Sequence, residues 1–138
     1  MQACSLLHVE DEDSSARLFL TALEHAGIAV RVYRVSDGAQ ALSFLHRTGA
    51  YEKARRPELI VLDLNMPRLD GWAVLLKIRA NDDLQKIPVV VLSTSAEPED
   101  QVRALSLGAR RYVVKPPDFD GLVQDVGSIC ASFLSLPT

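Results

Sequence analysis

Long hydrophobic runs are missing from this chain of 138 residues. Its apolar stretches, among them Leu59-Ile60-Val61-Leu62, Trp72-Ala73-Val74-Leu75-Leu76 and Val89-Val90-Val91-Leu92, are far short of the roughly 20 residues a helix needs to cross a bilayer. Cysteine is scarce. Cys4 and Cys130 lie near opposite ends without metal-ligand spacing, so they read as free thiols in a reducing cytoplasm, with a disulfide as the alternative. An excess of positive charge is also missing: the net charge is −3, which argues against direct nucleic-acid binding. Met1-Gln2-Ala3-Cys4-Ser5 has no cationic segment ahead of an apolar one and is not read as a signal peptide. Low-complexity segments and internal repeats are absent. What is present, 48% hydrophobic and 24% charged residues, suits a single globular domain over 1–138 with a core and no membrane contact.

The chain is organised around Pro57-Glu58-Leu59-Ile60-Val61-Leu62-Asp63, where a continuous apolar run ends in a carboxylate. Such a run predicts a strand buried on both faces. Four more strands are predicted: Ser5 to Val9, Ala29 to Val35 nearer a sheet edge, Pro88 to Leu92, and Arg111 to Val114. Between them apolar residues recur at helical spacing, with Asp13 or Ser14 capping the first helix and Gly27 stopping it. Ser36-Asp37-Gly38 opens the second helix, Trp72 to Ile78 mark the third, and Pro98 suits the first turn of the fourth, which carries Val102, Leu105 and Leu107. Asp118 caps a final helix running almost to Thr138. Five strands alternating with five helices imply a doubly wound parallel α/β sheet. Periodicity alone leaves the strand order open.

In a parallel sheet the strand ends share one edge, where ligands bind. That edge would gather Glu10 and Asp11, Asp63, Ser93 and Thr94, and Lys115. Crowded carboxylates repel one another and call for a cation. Oxygen ligands with spare water positions suit Mg²⁺, and Lys115 adds a fixed charge. A divalent ion, an ammonium and a hydroxyl around one carboxylate form a pocket for a phosphoryl group, with Asp63 as the nucleophile that becomes an acyl phosphate. Each piece alone has an ordinary reading: a turn-forming aspartate, a solvated acidic cluster, a loop-capping serine, a strand exit. Their joint occurrence at one edge favours chemistry. Trp72 and the apolar helix positions read as core, His8 as a hydrogen-bonded core residue, and His25 and His46 as helix-surface residues.

With these residues in view, Val9-Glu10-Asp11, Leu62-Asp63-Leu64-Asn65-Met66-Pro67 with Asp70-Gly71, Val91-Leu92-Ser93-Thr94 and Tyr112-Val113-Val114-Lys115-Pro116, the chain resembles the receiver domain of bacterial two-component response regulators. The resemblance implies the flavodoxin-like (βα)5 fold with strand order 2-1-3-4-5. It implies Asp63 as phosphoacceptor, Mg²⁺ on Glu10, Asp11, Asp63 and the Asn65 main-chain oxygen, and Lys115 and Ser93, with Thr94 beside it, on the phosphoryl group. It implies Ser93 and Tyr112 as the switch, Asn65 and Ser95 tuning the phosphoryl lifetime, and a cis Lys115–Pro116 bond. The donor would be a histidine of a sensor kinase. The segment Thr48 to Pro57, with Val-Leu-Ser-Thr-Ser at the end of the fourth strand, is similar to stand-alone receivers paired with phytochrome-type kinases, which often dimerise. A homodimer would use the fourth helix, fifth strand and fifth helix, or Ile129, Phe133, Leu134 and Leu136 late in the last helix. Two alternatives stay open: a degenerate receiver that works only through its interface, and a fragment of a larger regulator or hybrid kinase. A dehalogenase-like phosphatase is disfavoured, since it wants a general acid where Asn65 stands. A flavodoxin-like cofactor carrier is disfavoured because Glu10-Asp11-Glu12-Asp13 would repel its phosphate.

Overall fold

The central strand β3 (Leu59–Leu62) is buried along its whole length, as an apolar run covered on both faces requires. The computed structural model describes residues 4–64 and 70–135. On one side β3 pairs in parallel with β1 (Ser5–Val9), which pairs with β2 (Arg31–Val35). On the other it pairs with β4 (Val89–Ser93), and β4 with β5 (Arg111–Val114). The order is β2-β1-β3-β4-β5, as the resemblance implied. Between them run α1 (Asp13–His25), α2 (Gly38–His46), α3 (Gly71–Arg79), α4 (Pro98–Ser106) and α5 (Phe119–Phe133).

Strand alternation sorts the core into two layers. Leu7, Val9, Ile60, Leu62, Val89 and Val91 face Phe44, Leu45, Val74, Leu75, Ile78 and Ala104 of α2, α3 and α4. Leu6, Leu59, Val61, Val90 and Leu92 face Phe19, Ala22, Leu23, Val126, Ile129 and Cys130 of α1 and α5. Each large apolar side chain buried this way contributes about 1.5–3 kcal/mol. Side-chain caps fix three helix starts: Asp37, Asp70 and Asp118 accept from the main-chain N–H groups of Gln40, Ala73 and Gly121. Both cysteines are buried and free.

Several local expectations need correction. Glu12, not Asp13 or Ser14, precedes the first turn of α1, and it makes no side-chain cap. β2 begins at Arg31 rather than Ala29. On α4, Val102 and Leu105 are exposed rather than core, and Leu107 lies past the helix end. α5 stops at Phe133, where the chain turns extended at Leu134. Ile129 and Leu134 are buried against the α1 side of the sheet, so they are spent on the core and cannot form a dimer face; Leu136 lies outside the described residues. No described peptide bond is cis, Lys115–Pro116 included. Trans is the intrinsically favoured isomer, and Lys115 reaches its partners from that backbone. His8 is buried and stacked on Phe19, but its Nδ1 has no hydrogen-bond partner among the described residues.

Candidate functional site

Register brings the predicted residues to one level. Val9 stands opposite Leu62, so Glu10 and Asp63 leave adjacent strands side by side at the point where the strand order reverses. The Asp63 N–H donates to the Val9 carbonyl at 3.1 Å, and the Glu10 N–H to the Val35 carbonyl at 3.0 Å. Ser93 stands opposite Val114, and the Lys115 N–H donates to the Ser93 carbonyl at 2.7 Å. The ladder thus carries past the strand ends and fixes the main chain beneath each functional side chain.

Glu10, Asp11 and Asp63 each offer an oxygen within 4.8 Å of the others. Glu10 and Asp63 are buried, while Asp11 is partly exposed. Lys115 Nζ donates to Glu10 Oε1 at 2.8 Å and lies 3.6 Å from Asp63 Oδ2. Burial lifts the Glu10 carboxyl above its ordinary range; the Lys115 ammonium pulls it back, and the nearby Asp63 charge pushes it up again. For Lys115, burial works to lower the ammonium, and its hydrogen bond to Glu10 with the Asp63 charge outweighs that, leaving it raised. One ammonium therefore shares itself between two carboxylates. Three acids with one lysine leave an excess of negative charge and a set of hard oxygen donors, which fits a divalent cation of the magnesium or calcium type.

Ser93 is fully buried, and its Oγ accepts from the Ser95 N–H at 3.2 Å. Thr94 is exposed. Ser95 turns its hydroxyl to α4, donating to Asp100 Oδ2 at 2.6 Å and accepting from the Glu97 N–H at 3.3 Å. Half-buried Tyr112 donates its hydroxyl to the Ser95 carbonyl at 2.8 Å, tying β5 to the loop that follows Ser93. Asn65, expected to give a main-chain ligand and to tune the phosphoryl lifetime, lies outside the described residues. Two contributors had no chemical role in the sequence reading. Arg34 reaches from β2 to the Glu10 carbonyl at 2.8 Å. Gly71 donates its N–H to the Leu64 carbonyl at 3.0 Å and lies so close that a Cβ there would meet the Asp63 carbonyl and Leu64 Cα. Gly71 was visible only as part of a motif, and Arg34 carried no signal beyond its place on an edge strand.

Residues 6–127 match the family model described as the response regulator receiver domain. The chain is 38% identical over 135 residues to the response regulator Rcp1 of Synechocystis sp., covering 96% of this chain and 92% of that protein. It is similar to the solved structure of the phosphorylated cyanobacterial phytochrome response regulator RcpA, with a TM-score of 0.90, 37% identity and coverage of 99% and 100%. The Mn(2+)-bound form of Rcp1 superposes with a TM-score of 0.87 at 37% identity, covering 98% of this chain and 99% of the other.

Proposed function

Since the chain belongs to the response regulator receiver family, the phosphoacceptors of two-component signalling, we propose that Asp63 is its phosphoacceptor. Glu10, Asp11 and Asp63, with the Asn65 main-chain oxygen, hold Mg²⁺. The observation that carries this reading is the position of Lys115 Nζ, 2.8 Å from Glu10 Oε1 and 3.6 Å from Asp63 Oδ2. A cation already spans the acid pair, and the three clustered carboxylates offer oxygens that could hold a second. Support for a divalent ion also comes from the Mn(2+)-bound relative.

In the reaction an Asp63 oxygen attacks phosphorus and the P–N bond to the kinase histidine breaks, its electron pair returning to the imidazole. A bound Mg²⁺ supplies positive charge that neutralises the phosphoryl oxygens. Lys115 holds a second fixed charge at the same oxygens, and Ser93, with Thr94 beside it, donates to them. Hydrolysis removes the phosphoryl group: water attacks phosphorus, the Asp63 carboxylate leaves, and inorganic phosphate is released. Asn65 and Ser95 flank that water and set its rate. The phosphoryl group adds about −1.5 to −2 charge. That charge draws Ser93 inward, frees the loop held by Tyr112, and alters the α4-β5-α5 surface, through which the chain forms a homodimer.

The partner is a sensor histidine kinase of the phytochrome type, in keeping with the similarity to the cyanobacterial phytochrome response regulator RcpA. The receiver domain, taken over residues 1–138, acts in the cytoplasm. No described helix is long and apolar enough to cross a membrane. Incubation with acetyl phosphate tests the site. Label is expected on the wild type with Mg²⁺ and not without it, and Asp63→Asn is expected to take none. Equal labelling of Asp63→Asn would refute the assignment.

A further inference from the structure

The turn between β1 and α1 carries four consecutive acids, Glu10, Asp11, Glu12 and Asp13. Such a run repels itself, and nothing in its own sequence holds it in one shape: Glu12 makes no side-chain cap, and its N–H reaches Glu10 Oε2 only at 3.4 Å. The restraint comes from β2. Arg34 donates from Nε to the Glu10 carbonyl at 2.8 Å and from Nη1 to Asp13 Oδ1 at 2.7 Å. Its third nitrogen, Nη2, is buried without a partner among the described residues, so these two bonds are what fix the guanidinium there. With the Glu10 N–H on the Val35 carbonyl, β2 grips Glu10 by both main-chain polar groups. The bonds to residues 10 and 13 bracket Asp11, the one member of the acid triad that is not buried.

We propose that Arg34 is a positioning residue for the metal-binding turn: bonded to both ends of the acidic run, it presents Asp11 beside Glu10 and Asp63. This rests on the metal reading above. The ordinary alternative is a surface ion pair, since Asp13 is largely exposed and such pairs contribute little. The two make opposite predictions. Removing a cation from beside an anionic site should tighten metal binding through charge alone, whereas losing a positioning bond should weaken it. Groups that orient metal ligands from behind typically matter about 10–100-fold in affinity.

The test is direct titration of the full chain with Mn²⁺, counting free ion by electron paramagnetic resonance, alongside thermal unfolding without metal. Wild type is expected to bind and Asp11→Asn to lose binding. Arg34→Ala is expected to bind about tenfold more weakly, with its metal-free melting point nearly that of wild type. Arg34→Lys keeps the charge but cannot make both bonds, and is expected to bind several-fold more weakly; it carries the test should the alanine variant not fold. Affinity equal to or tighter than wild type in either variant overturns the clamp while leaving the metal reading standing. A wild type that takes up no Mn²⁺, or an Asp11→Asn that binds equally well, overturns the metal reading and the clamp with it.

Discussion

His8 is where the sheet carries a group that its surroundings oppose. Its imidazole is buried, stacked on Phe19 with ring centroids 4.1 Å apart, and its Nδ1 is without a partner among the described residues. Burial first, then the charges of Lys115 and Arg34, push its pKa from 6.5 down to about 3. In the unfolded chain the ring takes up a proton near 6.5; in the folded one it waits until about 3. The stability this represents is fully present above pH 6.5 and is lost as pH falls from there toward 3, by up to about 1.4 kcal/mol per unit. Glu10 acts in the opposite sense. Its carboxyl is raised by burial, so between 4.5 and that raised value acidification favours the folded state. A substitution separates the two. Between pH 7.5 and 5.5 His8→Leu should lose about 1.4 kcal/mol less stability than wild type in urea unfolding. Parallel pH curves for the two proteins would remove the buried neutral imidazole from the account.

At the scale of elements, α3 is set against the Asp63-Leu64 main chain by a single missing atom. Gly71 opens the helix with its N–H on the Leu64 carbonyl, and a Cβ there would stand 2.5 Å from Leu64 Cα and closer still to the Asp63 carbonyl. Main chain cannot step aside as a flexible side chain can. Gly71→Ala should therefore cost about 1–3 kcal/mol as an overpacking change and slow acetyl-phosphate labelling, because the displaced segment carries Asp63. Denaturant unfolding with initial labelling rates checks both, and an alanine variant labelled at the wild-type rate would show that the contact does not position Asp63. β3 and β4 were legible because continuous apolar runs mark strands buried on both faces, and the aspartate starts of α2 and α5 because the Asx side chain itself fixes a start; the Asp70 cap of α3 was not read from the sequence. The end of α5 was not legible, since apolar residues continue past Phe133 into Leu134, which packs against the sheet after the helix has stopped. Nor was Arg34: the residue it serves lies 24 positions earlier, and periodicity does not give the register that joins β1 to β2. The strand order came from the resemblance, not from the pattern of apolar residues.

Across the whole molecule, the site and the α4-β5-α5 face meet at one loop. Ser93 ends β4, Ser95 binds Asp100 on α4, and Tyr112 of β5 donates to the Ser95 carbonyl. A shift at Ser93 therefore reaches α4 and β5 together. The surface they present is apolar where a monomer has no need of it: Val102 is 68% exposed, Leu105 48% and Val114 36%. Arg103, the single cation of α4, lies over the Trp72 ring at 4.2 Å and is thus turned toward α3. Three such side chains alone fall well short of the roughly 800 Å² each partner buries in a stable interface. The self-association proposed above should then be weak at rest and grow when the loop rearranges. Sedimentation with and without acetyl phosphate and Mg²⁺ should show a dimer fraction that rises with labelling. Val102→Glu, which sets like charges against each other across a symmetric contact, should hold the labelled protein monomeric while leaving the labelling rate unchanged. A Val102→Glu protein that dimerises like wild type would put the interface on another face.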